Sequence, residues 1–105
     1  MPHDAPAQFI RDRVAAQFAD LASAIQERRS DAILAQCLTK TQAFCEQAAR
    51  AERSKELKHL LTHLRTALET WQRIWPRLGQ EEEFRLAIAR EARLWSRRLG
   101  STNKA

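Results

Sequence analysis

Between residues 57 and 78, nine apolar residues recur at three- and four-residue steps. This spacing places them on one face of an α-helix. Residues 10–25, 31–48 and 84–99 repeat the pattern more weakly, each with large apolar residues on one helical face. The chain has two glycines, three prolines, one valine and no tyrosine, which is too few turn-forming and strand-forming residues for a sheet. The pattern therefore predicts an all-α protein.

The helix boundaries are predicted from capping residues and helix breakers. Ser30 or Asp31 suits the N-cap of the second helix, and Ser54 suits that of the third. One continuous helix through residues 48–57 would put the two apolar faces on opposite sides, so we expect a turn near residues 51–54. Pro76 interrupts the third helix, and Gly79 closes it in the left-handed conformation. We predict helices over about residues 5–29, 31–51, 55–78 and 81–99, with frayed ends at 1–5 and 101–105.

The predicted architecture is an up-and-down four-helix bundle that forms a single domain over residues 1–105. Short connections make sequential helices antiparallel neighbours. No segment reaches the ~20 apolar residues of a membrane span, and the first residues lack the pattern of a signal peptide. Cys37 and Cys45 lie in one helix with a rise of about 12 Å between them, too far for a disulfide. Reduced thiols favour a cytoplasmic location.

All of the net charge lies at the end of the sequence. Residues 84–105 carry six basic residues and one acidic residue, whereas the first 83 residues carry twelve of each. A basic helix of this kind favours an acidic partner. Large aromatic residues beside arginines are also typical of protein interfaces. The candidate partner-binding residues are Arg90, Arg93, Trp95, Arg97, Arg98, Trp75 and Arg77.

Two interpretations of these residues remain open. Trp75 and Trp95 could instead cap the ends of the core with their N–H groups in water, while Trp71 belongs to the core. The arginines of the fourth helix could bind nucleic acid without sequence preference. The third and fourth helices could also be considered as a helix-turn-helix. Residues 81–83 are glutamates, which would repel DNA phosphates at the start of the recognition helix, so base reading by such a motif is excluded.

A metal site is considered at Glu56, His59 and His63. The two histidines are four residues apart and share a helix face, as zinc ligands do. However, that face points away from the leucines of the third helix, and the HLLTH sequence lacks the glutamate of the zinc-protease motif. We expect ordinary surface histidines and predict neither a metal nor a cofactor.

The segment from Arg53 to His59, RSKELKH, contains an Arg-polar-x4-His pattern. It resembles the motif of the HEPN-type ribonucleases, which are small helical bundles that pair these residues across a dimer. The resemblance covers seven residues. It implies metal-independent RNA cleavage, with Arg53 positioning phosphate and His59 acting as general acid or base.

The expected function is that of a non-enzymatic interaction or adaptor protein. The sequence holds no complete catalytic constellation, and its Trp–Arg clusters favour a protein partner or a second copy in a homodimer. Nucleic-acid binding by the fourth helix is the alternative, and the ribonuclease is a second alternative.

Overall fold

The computed structural model describes the backbone of residues 5–100 and the side chains of residues 8–100. This part of the chain contains no strand and forms four helices: α1 (Ala5–Gln26), α2 (Asp31–Ala51), α3 (Lys55–Leu78) and α4 (Glu82–Leu99). The predicted all-α four-helix bundle is confirmed. The predicted fraying of residues 1–5 and 101–105 lies outside the described residues except at Ala5, where α1 begins. None of the described helices is long and apolar enough to cross a bilayer.

The starts of α2 and α3 are where the sequence predicts them. The hydroxyl oxygen of Ser30 accepts a hydrogen bond from the amide of Ile33 at 3.3 Å. Ser54 caps α3 in the same way, accepting from Leu57 at 3.3 Å. Each serine satisfies an amide that the first turn of a helix leaves without a partner. Residues 52–54 form the predicted α2–α3 turn.

The predicted end of α1 at residue 29 is wrong, because the helix ends at Gln26. Arg28 has φ 56°, in the left-handed region, and the amide of Arg29 donates to the carbonyl of Ala24 at 3.0 Å. This is the backbone arrangement that glycine normally provides at a helix end. Arg28 and Arg29 therefore lie in the α1–α2 turn and not in the last turn of α1.

The α3–α4 turn also differs from the prediction. Helix α3 ends at Leu78 as predicted, but it continues through Pro76 without interruption, and α4 begins at Glu82, one residue later than expected. Gly79 has φ −64° and ψ −16°, so it is right-handed and not left-handed. Its role is to leave space, because a Cβ at this position would lie 2.5 Å from Nε1 of Trp75.

The helices pack in three close pairs: α1 with α4, α2 with α3, and α1 with α2. Cross-helix contacts show that each pair is antiparallel. Arg11 pairs with Glu52, and the amide of Gln42 donates to Gln72 at 2.6 Å. The α3–α4 pair does not approach as closely as these three. The α3 and α4 backbones are therefore farther apart, with Trp75 and Phe84 in contact between them, and we call this wider side the open edge.

Side-chain size explains this difference between the pairs. Small residues occupy buried positions on both α1 and α4, including Ala22 and Ala92. In contrast, α3 and α4 pack Trp71, Phe84 and Trp95 against the core. Because the side chains at a contact set the distance between helix axes, alanines bring two helices close and aromatic rings hold them apart.

All four helices contribute to one core. Its largest fully buried side chains are Val14, Phe18, Leu21, Leu34, Leu38, Thr41, Cys45, Leu61, Leu64 and Leu68. On α4, Ala87 is exposed, while Arg85, Ala89 and Ala92 are buried in addition to Ile88 and Leu99.

We predict that Gly79→Ala destabilises the protein. Alanine in a right-handed conformation normally stabilises by about 0.4–1 kcal/mol. Here the contact with Trp75 reverses the sign, because overpacking costs about 1–3 kcal/mol. Urea denaturation of wild type and variant measures the change. The same substitution in a Trp75→Leu background is the control and should be neutral or stabilising. Equal effects in both backgrounds would contradict the contact.

Candidate interaction surfaces

Trp75 lies inside the bundle, although the sequence places it among the partner-binding residues. Its side chain is 7% exposed and stacks at a tilt on Phe84, with ring centroids 5.5 Å apart. Its Nε1 is buried without a hydrogen-bond partner among the described residues. The interpretation that this N–H reaches water is therefore wrong. Arg77, in the same last turn of α3, is exposed.

Arg85 lies buried at this end of the bundle, a position that the sequence does not predict. It is 5% exposed, and no carboxylate pairs with it in the described part of the chain. Its guanidinium donates to the carbonyl of Gly79 and to the carbonyl of Ile25, each at 2.8 Å. It also lies 5.5 Å from the centre of the Trp75 ring. Arg85 thus neutralises the carbonyl ends of α1 and α3 and joins both to α4.

We predict that Arg85→Met lowers the free energy of unfolding by about 2–4 kcal/mol. The substitution keeps most of the volume but leaves two carbonyls without their charged donor, and such bonds contribute about 1.5–3 kcal/mol each. Chemical denaturation measures the loss. Arg90→Met, at an exposed position of the same helix, should change stability by less than about 0.5 kcal/mol. A variant of Arg85 that unfolds like wild type would show that its bonds are not formed.

The other arginines of α4 do not form one patch. Arg90, Arg93 and Arg97 follow one another at helical spacing on the flank beside α1, where Arg93 donates to the side-chain oxygen of Gln26. Arg98 lies about 100° around the helix, 5.2 Å from the centre of the Trp95 ring. All four lack an ion pair within residues 8–100.

Trp95 sits on the opposite flank of α4, facing α3. It is half-buried against the core, and its N–H donates to a carboxylate oxygen of Glu91 at 3.1 Å. This bond, not water, satisfies the indole. The predicted Trp–Arg cluster at the end of α4 is therefore reduced to Trp95 and Arg98.

An apolar surface follows the open α3–α4 edge. Its members on α3 recur at helical spacing on the side away from α2, and its members on α4 lie on the side away from α1. Most are half-buried, and Leu78 is 38% exposed. We call it the edge surface; it consists of Leu60, Ala67, Trp71, Ile74, Leu78, Phe84, Leu94 and Trp95. Trp71 is therefore only partly in the core to which the sequence assigned it.

The candidate metal and ribonuclease residues lie on the outside of α3 and of the turn before it. Glu56, His59 and His63 are exposed. The described residues contain no group of three histidines, cysteines or acids that could hold a metal ion. Arg53 is also exposed, and it shares no hydrogen bond with His59 in the described chain.

Neither cysteine has the thiolate character that a nucleophilic cysteine needs. Both are free. Burial raises the pKa of the Cys45 thiol to about 12, with a small opposing effect of Arg65. Burial and the nearby Asp20 carboxylate also raise the pKa of Cys37. Both thiols are therefore protonated near neutral pH. They are poor nucleophiles in this form, because the thiolate is the species that attacks efficiently.

Comparison with known proteins gives no match to a family model, to a curated protein or to a solved structure.

We predict that the two thiols react at different rates with a disulfide reagent at pH 8. Their raised pKa values leave little thiolate, so both should react more slowly than a free thiol. Half-buried Cys37 should react first, and fully buried Cys45 only when the bundle opens. Absorbance of the released thiolate measures both phases. The Cys37→Ser variant should lose the faster phase, and denaturant should make both thiols fast. Rapid labelling of Cys45 in the native protein would contradict the described burial.

Proposed function

We propose that this protein is a non-enzymatic interaction module that associates with a second copy of itself through the edge surface. The observation that supports this proposal is the row of half-buried apolar side chains along the open α3–α4 edge. Contiguous apolar surface bordered by polar residues is typical of protein interaction sites. Trp71 and Trp95 supply the large aromatic area that dominates interface energies.

The size of the edge surface suits a reversible dimer. It runs from Leu60 to Leu78, about 27 Å along α3 at 1.5 Å per residue. Two adjacent helices are about 20 Å wide, so the patch covers on the order of 500 Å² per protomer. Two such patches bury about 1,000 Å² in total, at the lower limit for a specific interface. We therefore expect a dimer that depends on concentration.

The residues of α3 are compatible with a two-fold arrangement. Ala67 lies near the middle of the edge surface and is small enough for two helices to cross closely there. An antiparallel crossing at Ala67 brings Glu56, near the start of one α3, toward Arg77, near the end of the other. Both side chains are exposed and neither forms an ion pair in the described chain. The symmetry repeats this charge pair on both sides of the crossing.

An interaction role also agrees with the chemistry of the possible catalytic groups. Arg53 and His59 are exposed to solvent, and the thiols of Cys37 and Cys45 are protonated. We place the module in the cytoplasm, where two free thiols stay reduced.

We predict that the mass measured by light scattering during size-exclusion chromatography rises from 12.1 kDa toward twice that value as concentration increases. Ala67→Glu should keep the protein monomeric at every concentration, because the crossing would bring two like charges together without water. Ala43→Glu is the matched control, since it makes the same change at an exposed position of α2, and it should dimerise like wild type.

Charge reversal tests the orientation of the two copies. Arg77→Glu should weaken the dimer, and adding Glu56→Arg in the same chain should restore it. A wild-type mass that stays at 12.1 kDa up to millimolar concentration would contradict self-association. A dimer that survives Ala67→Glu would contradict the edge surface as the interface.

A further inference from the structure

The fold gathers all of the described net charge into one half of the bundle. This basic half is the end where α1 begins, the α2–α3 turn lies and α4 finishes; it comprises residues 5–16, 42–66 and 91–100. It carries ten basic and five acidic residues, whereas the remaining described residues carry seven of each. The sequence places the charge in α4, but in the structure the net charge of this half comes from α1, α3 and α4.

Several bases of this half already have partners inside the protein. Arg11 pairs with buried Glu52, and Arg13 lies 4.9 Å from the centre of the Phe44 ring. Arg98 covers Trp95. These three side chains are less available to a ligand.

Three other bases line a groove on the outer side of the α2–α3 pair. The groove has a volume of about 310 Å³ and is formed by Arg50, Lys58 and Arg65 with Thr62, Ala49 and Glu46. None of the three bases forms an ion pair within the described residues. We call this the α2–α3 groove. Its lining carries three basic residues and one acidic residue.

The spacing of these bases matches a phosphate backbone. Lys58 and Arg65 are two turns apart on α3, about 10 Å along the helix axis. Two cations at this separation can each contact a different phosphate of one strand. Arg50 projects from the antiparallel neighbour and makes the third contact across the groove.

We propose that the α2–α3 groove binds the phosphate backbone of a nucleic acid without reading its sequence. The lining is cationic and polar and includes no large apolar side chain. A protein partner would need an apolar anchor here, and a membrane would need side chains to insert. Neither is present among the residues that form the groove.

A second basic groove supports a flexible, extended ligand. Arg93 and Arg97 line a groove of about 230 Å³ with Ala19 and Ser96, between α1 and α4. The α1–α4 and α2–α3 pairs are opposite sides of the bundle, so the two grooves face in opposite directions. A single strand can pass around the end of the bundle and contact both, whereas a flat membrane cannot.

The test measures fluorescence anisotropy of a fluorescein-labelled oligothymidylate over a range of salt concentrations. The groove variant is R50Q/K58Q/R65Q, and the matched control is R29Q/K40Q/R73Q, which removes three bases from the other half. The groove variant should lose affinity by about tenfold or more at low salt. Its slope of log K against log salt should fall by about 2, at about 0.7 for each lost phosphate contact on a single strand. The control should bind within about threefold of wild type.

Further variants separate loss of binding from loss of folding, and the α2–α3 groove from the fourth helix and the edge surface. Circular dichroism checks folding of the triple variant, and R50Q/K58Q, which changes only exposed residues, is measured beside it. R90Q/R93Q/R97Q tests the fourth helix, and it should lose less than the groove variant. The groove lies on the side of α3 away from the edge surface, so Ala67→Glu should bind the oligonucleotide as wild type does. Failure of the dimer thus leaves this proposal standing.

Four results would overturn the proposal. Wild-type protein could show no anisotropy change at micromolar concentration and low salt. The groove variant and its control could weaken equally, which would assign the effect to net charge alone. The fourth-helix variant could lose binding while the groove variant keeps it. Finally, poly-glutamate could compete as well as unlabelled oligonucleotide of equal charge, which would point to an acidic protein partner.

Discussion

The burial of one arginine without a carboxylate organises the end of the bundle where α1, α3 and α4 meet. Arg85 holds the last carbonyls of two helices with two charged hydrogen bonds and covers the face of an indole. A buried cation is costly unless its donors are satisfied, and helix ends provide partial negative charge that water would otherwise solvate. Lysine has no planar fork to reach both carbonyls, so this position requires arginine. The path of α4 across α1 depends on this arrangement.

The size of the residues between the helices then determines which side of the bundle stays open. Buried alanines allow α4 to lie close against α1. Large aromatic side chains separate α4 from α3, although the two helices are consecutive and joined by a short turn. The result is a bundle with three close helix pairs and one open side. The space that Trp75 requires at Gly79 belongs to the same arrangement, because it lets the turn pass directly over the indole.

Much of the fold follows from local sequence signals, and the exceptions have physical causes. Ser30 and Ser54 mark helix starts because their hydroxyls need only neighbours along the chain. The left-handed Arg28 could not be predicted, since arginine gives no signal for that conformation and its neighbours along the chain give none either. The sequence predicts that Gly79 is needed for a left-handed conformation. Glycine is needed instead because the Trp75 side chain packs against this position. From sequence alone Arg85 is predicted to be an exposed charged residue. Its burial depends on the positions of the two helix ends that it neutralises.

The candidate surfaces were less predictable than the fold, because they combine residues from different helices. Counting charge along the chain assigns the basic character to α4. The α2–α3 groove becomes visible only when the antiparallel register sets Arg50 beside Lys58 and Arg65. Likewise, sequence alone assigns the apolar residues from Leu60 to Leu78 to the core. They line a surface because α4 packs against α1 and not closely against α3. Exposure of the two histidines of α3 was predictable, since helical periodicity alone determines it.

The pairing of α1 with α4 also has a consequence for the order in which the protein can be completed during synthesis. Helix α1 leaves the ribosome well before α4, against which it packs closely. Contacts such as Arg28–Glu82, Arg85–Ile25 and Arg93–Gln26 join residues 54, 60 and 67 positions apart. Contacts of such long sequence separation form late, because the intervening chain must first be ordered. Until α4 emerges, one apolar flank of α1 stays uncovered, and α1–α3 form an unfinished bundle that α4 closes.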